Sequence, residues 1–532
     1  WTCWLEKLVW VNKFFGLYLN EMTKLSRKII TIILLAVMII SVIGIGILFK
    51  VELEYYNSND YNTMNSSDMS MLEERKKAYE IELDGIKSQI EGIENGENED
   101  EVSKFKLYNQ LINIEGEITY LDYAIENNLN IYTNLWIDSV MRNYSYAAAE
   151  IKYFEKVNEG YEKEEYEATL KEVKASSEKD LKVLNKYKED KAAALNLYLD
   201  YQDAEIKSNK DISKEMAEIQ LESNELKRQY NQNGEISTYL NNSIEKLKSN
   251  KISLLNNQSD ENDRPLTHDE REELINKIAV QEHYIKSGAY LTQSKNDDSG
   301  ISSQIISIFI SFSGFFVSIL MIILAGSTIS SEVSTGSIKS LIISPLKRHK
   351  IYTAKILSLT TFALFSLIIM YITIIITNQA LFSEYTITPY IGAVNGKAYE
   401  LNFYLHTFLL VLIKGIDVFV FMMFAMMLST VTRNTSASVG ISIAGFFGGL
   451  IISSSQMLYF ISKGEWRKFI PFANLYLEDK FFPYSSLTEE MSGYYDNVGQ
   501  ITSLNFSLIY IAVLLVCMVY TGYESFIKRD IK

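Results

Sequence analysis

Two charged residues three positions apart, Lys414 and Asp417, stand inside the apolar run FLLVLIKGIDVFVFMM. At that spacing they share one face of a helix. Each charge alone costs roughly 2.5 to 3.5 kcal/mol at the centre of a bilayer, so the pair is expected to face protein or water and to neutralise itself. It reads as a polar contact at a subunit interface or translocation path, or as a self-satisfied structural pair. A second candidate, STGSIKS, looks like the tail of a phosphate-binding loop, but Lys339 follows Gly336 only after two other residues and the chain has no GxxxxGK[ST]. The four histidines, His268, His283, His349 and His406, are scattered, and no HExxH, GxSxG or CxxC occurs. No Asp-rich loop has calcium-binding spacing. The expectation is a chain with no catalytic residue, no metal and no cofactor of its own.

The elements that must position such residues are apolar runs. The chain has 532 residues, 47% of them hydrophobic and only five of them proline. Six stretches, 29–49, 305–329, 351–377, 403–428, 437–461 and 504–522, are near the 20 residues needed to cross a bilayer, and none contains proline. Basic residues collect at one set of their ends. Lys13, Lys24, Arg27 and Lys28 precede the first run, and Lys339, Lys347, Arg348 and Lys350 lie between the second and third, with Lys355 at the start of the third. Arg433 lies between the fourth and fifth, and Lys528, Arg529 and Lys532 follow the sixth. The asymmetry predicts cytoplasmic N and C termini and an extracytoplasmic segment 50–302. In the fifth run Gly445 and Gly449 form a small-xxx-small pattern suited to close helix packing.

The predicted fold class is therefore all-α: a polytopic membrane protein with six transmembrane helices and a large extracytoplasmic helical coiled-coil domain. Its expected parts are an N-terminal cytoplasmic or interfacial helix (1–28), a first span (29–49), the external domain (50–302) and a membrane domain (303–532) with spans two to six and a cytoplasmic loop at 330–350. The net charge of −15 conceals this division. Residues 51–300 hold roughly 52 acidic against roughly 30 basic residues, while the remainder carries about +7. The external segment has no cysteine, since Cys3 and Cys517 lie near opposite ends of the chain, so a disulfide framework is excluded there.

Within the acidic segment, Leu72, Tyr79, Leu83, Ile86, Ile90 and Ile93 follow helical steps, as do Leu111, Ile114, Ile118, Leu121 and Ile125. Further series run Ile212, Met216, Ile219, Ser223, Leu226, Tyr230 and Leu240, Ile244, Leu247. Ser70–Glu73 and Thr267–Glu270 both read as capping boxes. Residues 161–233 lack Gly and Pro, and as one helix would reach roughly 100 Å, so a break is expected inside. The Tyr-rich stretch 131–154 departs from heptad spacing and reads as a distal tip, either a packed head or a contact surface for a partner. Trp1 to Trp10 read as leader before a start at Val11, and no small-residue cleavage site follows Phe49, so the first run reads as a retained anchor.

The loop between the second and third runs, SSEVSTGSIKSLIISPLKRHK, carries Glu332, then Thr335-Gly336-Ser337-Ile338-Lys339, then Leu341 and Ile342, then Pro345 and Arg348, with Lys355 following at the start of the third run. Leu428-Ser429 with Thr432-Arg433-Asn434 lies between runs four and five, and Pro471 with Asn474-Leu475 precedes the sixth. In their order and membrane sides these features resemble the permease subunits of type-2 ABC exporters, and cover the membrane portion but not the external insertion. The resemblance implies that 332–343 contains a coupling helix that docks on a separate ATPase subunit, which would hold the ATP and Mg. It implies a bacterial cell membrane, a dimer with a second permease copy, and export of a peptide, antibiotic or lipid-like substrate. Independently of the resemblance, Ile338, Leu341 and Ile342 give an apolar helix face, Lys339 a polar side and Pro345 a stop. The loop read without the resemblance merely sets topology. A reading from another class is a non-transporting surface coiled coil, a receptor or assembly factor with the layout of phage-infection proteins. The bilayer is a partner under either reading, an external partner or substrate would meet the acidic domain, and nucleic acid is not expected.

Overall fold

A computed structural model describes residues 2–57, 66–94, 101–129, 131, 136–157, 163–236, 238–258, 264–288, 301–338, 347–382, 389–453, 465–483 and 502–528. The chain is helical almost throughout and divides into two compact units. The first comprises Trp1–Glu54, Asp298–Val394 and Ala398–Lys532; the second comprises Tyr55–Asp297 with Asn395–Lys397.

The first unit is built from apolar runs that contain no helix breaker. It begins with α1 (Thr2–Ser26) and α2 (Ile29–Asn57), the latter continuing past the unit boundary. In the second unit follow α3 (Ser66–Glu94), α4 (Glu101–Glu126), α5 (Trp136–Val157), α6 (Lys163–Glu189), α7 (Lys191–Ser208), α8 (Lys214–Tyr230), α9 (Thr238–Asn256) and α10 (His268–Lys286). The chain then returns to the first unit through α11 (Ile301–Thr328), the short α12 (Ser330–Ser334) and α13 (Arg348–Leu381). A two-stranded hairpin of β1 (Tyr390–Val394) and β2 (Lys397–Leu401) leads into α14 (Phe403–Thr432) and α15 (Thr435–Ser453). Two 3-10 turns, Glu465–Phe469 and Pro471–Asn474, then α16 (Glu478–Phe481) and α17 (Leu504–Lys528) complete it.

Five helical segments, Ile29–Val51, Ile308–Ser334, Arg348–Leu381, Phe403–Thr432 and Leu504–Lys528, are long and apolar enough to cross a membrane. The fifth run of the sequence is a shorter apolar helix, Thr435–Ile451, within the described residues. The core of this unit is α14 against α11, with α13, α15 and α17 around them; Met321, Leu324, Met422, Ala425 and Met426 are fully buried there. The outer faces are apolar as well: Ile368, Ile372 and Ile376 on α13 and Ile509, Val513 and Val516 on α17 are exposed. A helix apolar on every side has hydrocarbon for its solvent. The chain is a multi-pass membrane protein.

In the second unit each helix buries an apolar face, although Ile81, Phe105 and a few others are exposed. Leu72, Ile86 and Ile90 of α3 and Leu111, Ile114 and Leu121 of α4 are buried, as are Leu240, Ile244 and Leu247 of α9. Thr267 caps α10 in a reciprocal box with Glu270, whose carboxylate also accepts from Arg264. Ser70 lies inside α3 and starts nothing, because that helix begins four residues earlier. The Gly- and Pro-free stretch does break, at Asp190, which caps α7, and again at Asn209 to Ser213. The tyrosines of α5 are half-buried: α5 packs against both α4 and α6, Trp136 donates to the Gly234 carbonyl (2.8 Å), and Tyr146 and Tyr153 donate to Glu117 and Glu115 (both 2.6 Å). The described part of this stretch is a packing hub within its unit.

Candidate functional site

Charge inside the first unit gathers in two clusters. One lies where α1, α12 and the start of α13 meet. Lys355, only 1% exposed, donates to Glu21 Oε2 (2.8 Å) and Glu332 Oε1 (2.9 Å), and Lys24 bridges the same two carboxylates at 2.8 and 3.1 Å. Burial pushes the Glu21 carboxyl up, but Lys355 and Lys24 outweigh it and hold it below the ordinary value. Burial likewise lowers the Lys24 ammonium, and Glu21 and Glu332 more than restore it. Three elements distant in sequence are thus tied at one point, and each is left with an uncompensated charge if a partner is removed.

The backbone at this point is built to end one helix and aim the next. The break between α11 and α12 at Ile329 leaves two N–H groups, Ile329 and Ser330, whose acceptor is Ser429 Oγ of α14 (3.3 and 3.0 Å). Ser330 Oγ meets Thr435 Oγ1 (2.9 Å), and Ser438 donates to the Gly326 carbonyl (2.7 Å), closing α15 onto the same joint. Ser429 at the end of α14 and Thr435 and Ser438 at the start of α15 therefore hold the joint between α11 and α12. Arg433 ends α14 in the left-handed region (φ 54°), and Asn434 Oδ1 accepts from Ala437 N at the start of α15.

Of the residues singled out for coupling, Glu332 is in the cluster. Thr335 folds back on the Ser331 carbonyl (2.8 Å), and Gly336 takes φ +72°, which turns the chain out of α12. Ile338 is 3% exposed and packs into the unit's own core. Arg348 donates to the Ile527 carbonyl (3.0 Å), fastening the start of α13 to the last turn of α17. Lys339, Leu341, Ile342 and Pro345 lie outside the described residues.

The second cluster surrounds Lys414 and Asp417. The two are joined at 3.3 Å, and Lys414 also reaches Glu478 Oε1 (3.1 Å) and the face of the Tyr476 ring (4.4 Å). Asp417 Oδ1 accepts from the Tyr476 backbone N–H (3.1 Å), at a residue held in the left-handed region (φ 57°). Asp417 is fourteen residues along α14, ~20 Å from its start, so the irregular segment before α17 reaches well into the bundle. Such backbone needs internal partners at that depth. Asn474 supplies them by donating to the Lys468 and Ile470 carbonyls (2.8 and 3.1 Å) and accepting from Ser507 (3.1 Å). Gly314 of α11 leaves the space that Lys414 fills, and Gly449 leaves space for Phe472; a side chain at either would overlap its neighbour. Gly445 has only ordinary contact with Phe424.

Sequence reasoning did not find Glu21 or Glu478. The signal for Glu21 is an acid three residues before Lys24 in a flank otherwise basic; Glu478 lies 64 residues after Lys414, with no local sign of the pairing. Among the described residues no group of three or more His, Cys, Asp and Glu could hold a metal ion.

Residues 274–532, just under half of the chain, match a family described as a protein of unknown function (DUF2705). The chain is 27% identical over 215 residues to the uncharacterized protein YhcI of Bacillus subtilis (strain 168), an overlap of 40% of this chain and 63% of YhcI. It is 22% identical over 213 residues to the uncharacterized membrane protein YdbK of the same organism, covering 40% of this chain and 77% of YdbK. The chain thus spans less than two thirds of the length of YhcI.

Proposed function

We propose that the chain is the membrane-spanning permease subunit of an ATP-driven exporter, and that ATP is hydrolysed by a separate subunit docked near residues 330–350. The observation that carries this reading is the Glu21–Lys24–Glu332–Lys355 cluster. A loop that only set topology would need cations there, not a half-buried carboxylate, Glu332, that joins three helices. A push on the segment after Glu332 would pass through the cluster to α1 and α13, and through Ser429 to α14. The chain would cross the membrane six times, with the acidic second unit outside as a helical coiled-coil projection and a second permease copy completing the path. Substrates of the peptide, antibiotic or lipid-like classes fit an exporter of this layout.

The test is co-purification of the natively expressed chain in mild detergent. An ATPase should accompany it, and Glu332→Ala with Arg348→Ala should lower the ATP turnover of the assembly severalfold while leaving the ATPase bound. If no ATPase is recovered under conditions that keep the chain folded, the reading fails.

A further inference from the structure

The cluster at α1 does not balance its own charge. Lys24, Lys28 and Lys355 face two carboxylates, Glu21 and Glu332, and the described partner of Lys28 is a hydroxyl, Ser327 Oγ at 3.1 Å. Burial, then the neighbouring Lys355, lower the Lys28 ammonium below its ordinary value. Next to it, Arg27 is exposed, and among the described residues its side chain meets no carboxylate. Among the described residues these two adjacent cations at the turn between α1 and α2 form no ion pair, although Glu332 and Glu21 lie near Lys28.

The surface continuing from this turn is hydrocarbon. Ile29 (74% exposed), Ile32 and Ile33 open the first turns of a helix long enough to cross a membrane, and Phe15 and Leu19 of α1 are exposed as well. Cations at the rim of an apolar wall match a phospholipid, with acyl chains along the isoleucines and the phosphate at the rim. The positive end of the α2 dipole adds to the same field.

We propose that Arg27 and Lys28 form a binding site for the phosphate of an anionic membrane lipid, whose chains lie on the Ile29–Ile33 face of α2. The lipid supplies the negative charge that the cluster lacks and holds the α1–α2 turn against Ser327 of α11. The proposal needs only that α2 spans the membrane, and stands apart from any export activity.

The full chain is reconstituted in vesicles of equal phosphatidylcholine and phosphatidylglycerol, extracted gently, and the retained lipids are weighed by native mass spectrometry. The wild type should retain phosphatidylglycerol preferentially, and Arg27→Gln/Lys28→Gln should lower that preference on the order of 10-fold. Arg27→Gln alone removes an exposed side chain with no described partner, so it keeps the fold and should give a smaller fall in the same direction. Lys210→Gln, an equal charge change in the second unit, should give none. Equal retention of the two lipids by the wild type, or an unchanged preference in both Arg27 variants, overturns the site. So does saturation by inorganic phosphate of the chain held in phosphatidylcholine alone, since the ligand is then a free anion.

Discussion

The two units use charge in opposite ways. In the second unit ion pairs are many and mostly half-exposed, such as Lys191–Glu235 and Lys76–Glu80, and each holds a place in a solvated surface. In the first unit the described buried pairs Lys355–Glu21, Lys355–Glu332 and Lys414–Glu478 fasten elements that are far apart in sequence, and Lys528–Glu524 is an exposed pair within one helix. Exposed pairs are worth about 0 to 1 kcal/mol, whereas removing one member of a buried pair costs about 3 to 5 kcal/mol because the other is stranded. The acidic unit can thus tolerate charge changes that the membrane unit cannot.

The sharpest way to break that contrast is Lys355→Met. Glu21 and Glu332 would then face each other with only the half-exposed Lys24 between them. The expected loss is about 3 to 5 kcal/mol, read as a fall in the thermal unfolding midpoint of the detergent-solubilised chain. Glu21→Gln/Glu332→Gln/Lys355→Met should recover part of it. A midpoint unchanged in Lys355→Met would mean that the cluster fastens nothing.

Lys414→Met should cost less, about 2 kcal/mol or more, because Asp417 keeps the Tyr476 N–H and Glu478 is 20% exposed. Its signature is local: protease cleavage should increase in the 465–483 segment before the rest of the bundle opens.

How much of this the sequence discloses depends on the distance over which each feature is written. The apolar runs, the division between an acidic and a basic part, and the Lys414–Asp417 pair are local patterns. The paired faces of α3, α4 and α9 are also local, because period alone marks them. Glu21, Ser429 and Glu478 act through contacts between separate runs, so no spacing announces them. Ser70 shows the converse failure, where a local cap pattern is overridden by a helix that starts earlier. Ile338 is apolar as its spacing requires, and its own side chain is buried in the unit's core.

A smaller effect sharpens the comparison from a third place, the polar seam beside α16. Lys480 donates to Thr502 Oγ1 (2.6 Å) and Ser507 Oγ (2.7 Å), and among the described residues it has no carboxylate partner. Burial lowers its ammonium to about 8. Between that value and the ordinary one near 10.5 the unfolded chain binds the proton that the folded chain has released, so stability rises with pH across that window. The increase should vanish in Lys480→Met, measured as the unfolding midpoint at pH 7.5 and 9.5. An unchanged slope would place the titration on another group.

The smallest effects belong to the second unit. Thr267→Ala removes the side-chain acceptor for the Glu270 N–H and breaks the reciprocal cap of α10, at a cost of about 1 kcal/mol. Lys191→Ala removes the Lys191–Glu235 pair, which both side chains make from half-exposed positions, and should cost under about 1 kcal/mol. Both variants are read by hydrogen exchange in α9 and α10 and in α7, respectively. Because the cap satisfies backbone groups and the pair only joins solvated charges, Thr267→Ala should outrank Lys191→Ala, and added salt should narrow the effect of the second alone. A Lys191→Ala cost matching that of Lys355→Met would mean that exposed charge binds this unit as tightly as buried charge binds the other, and the contrast between them would be lost.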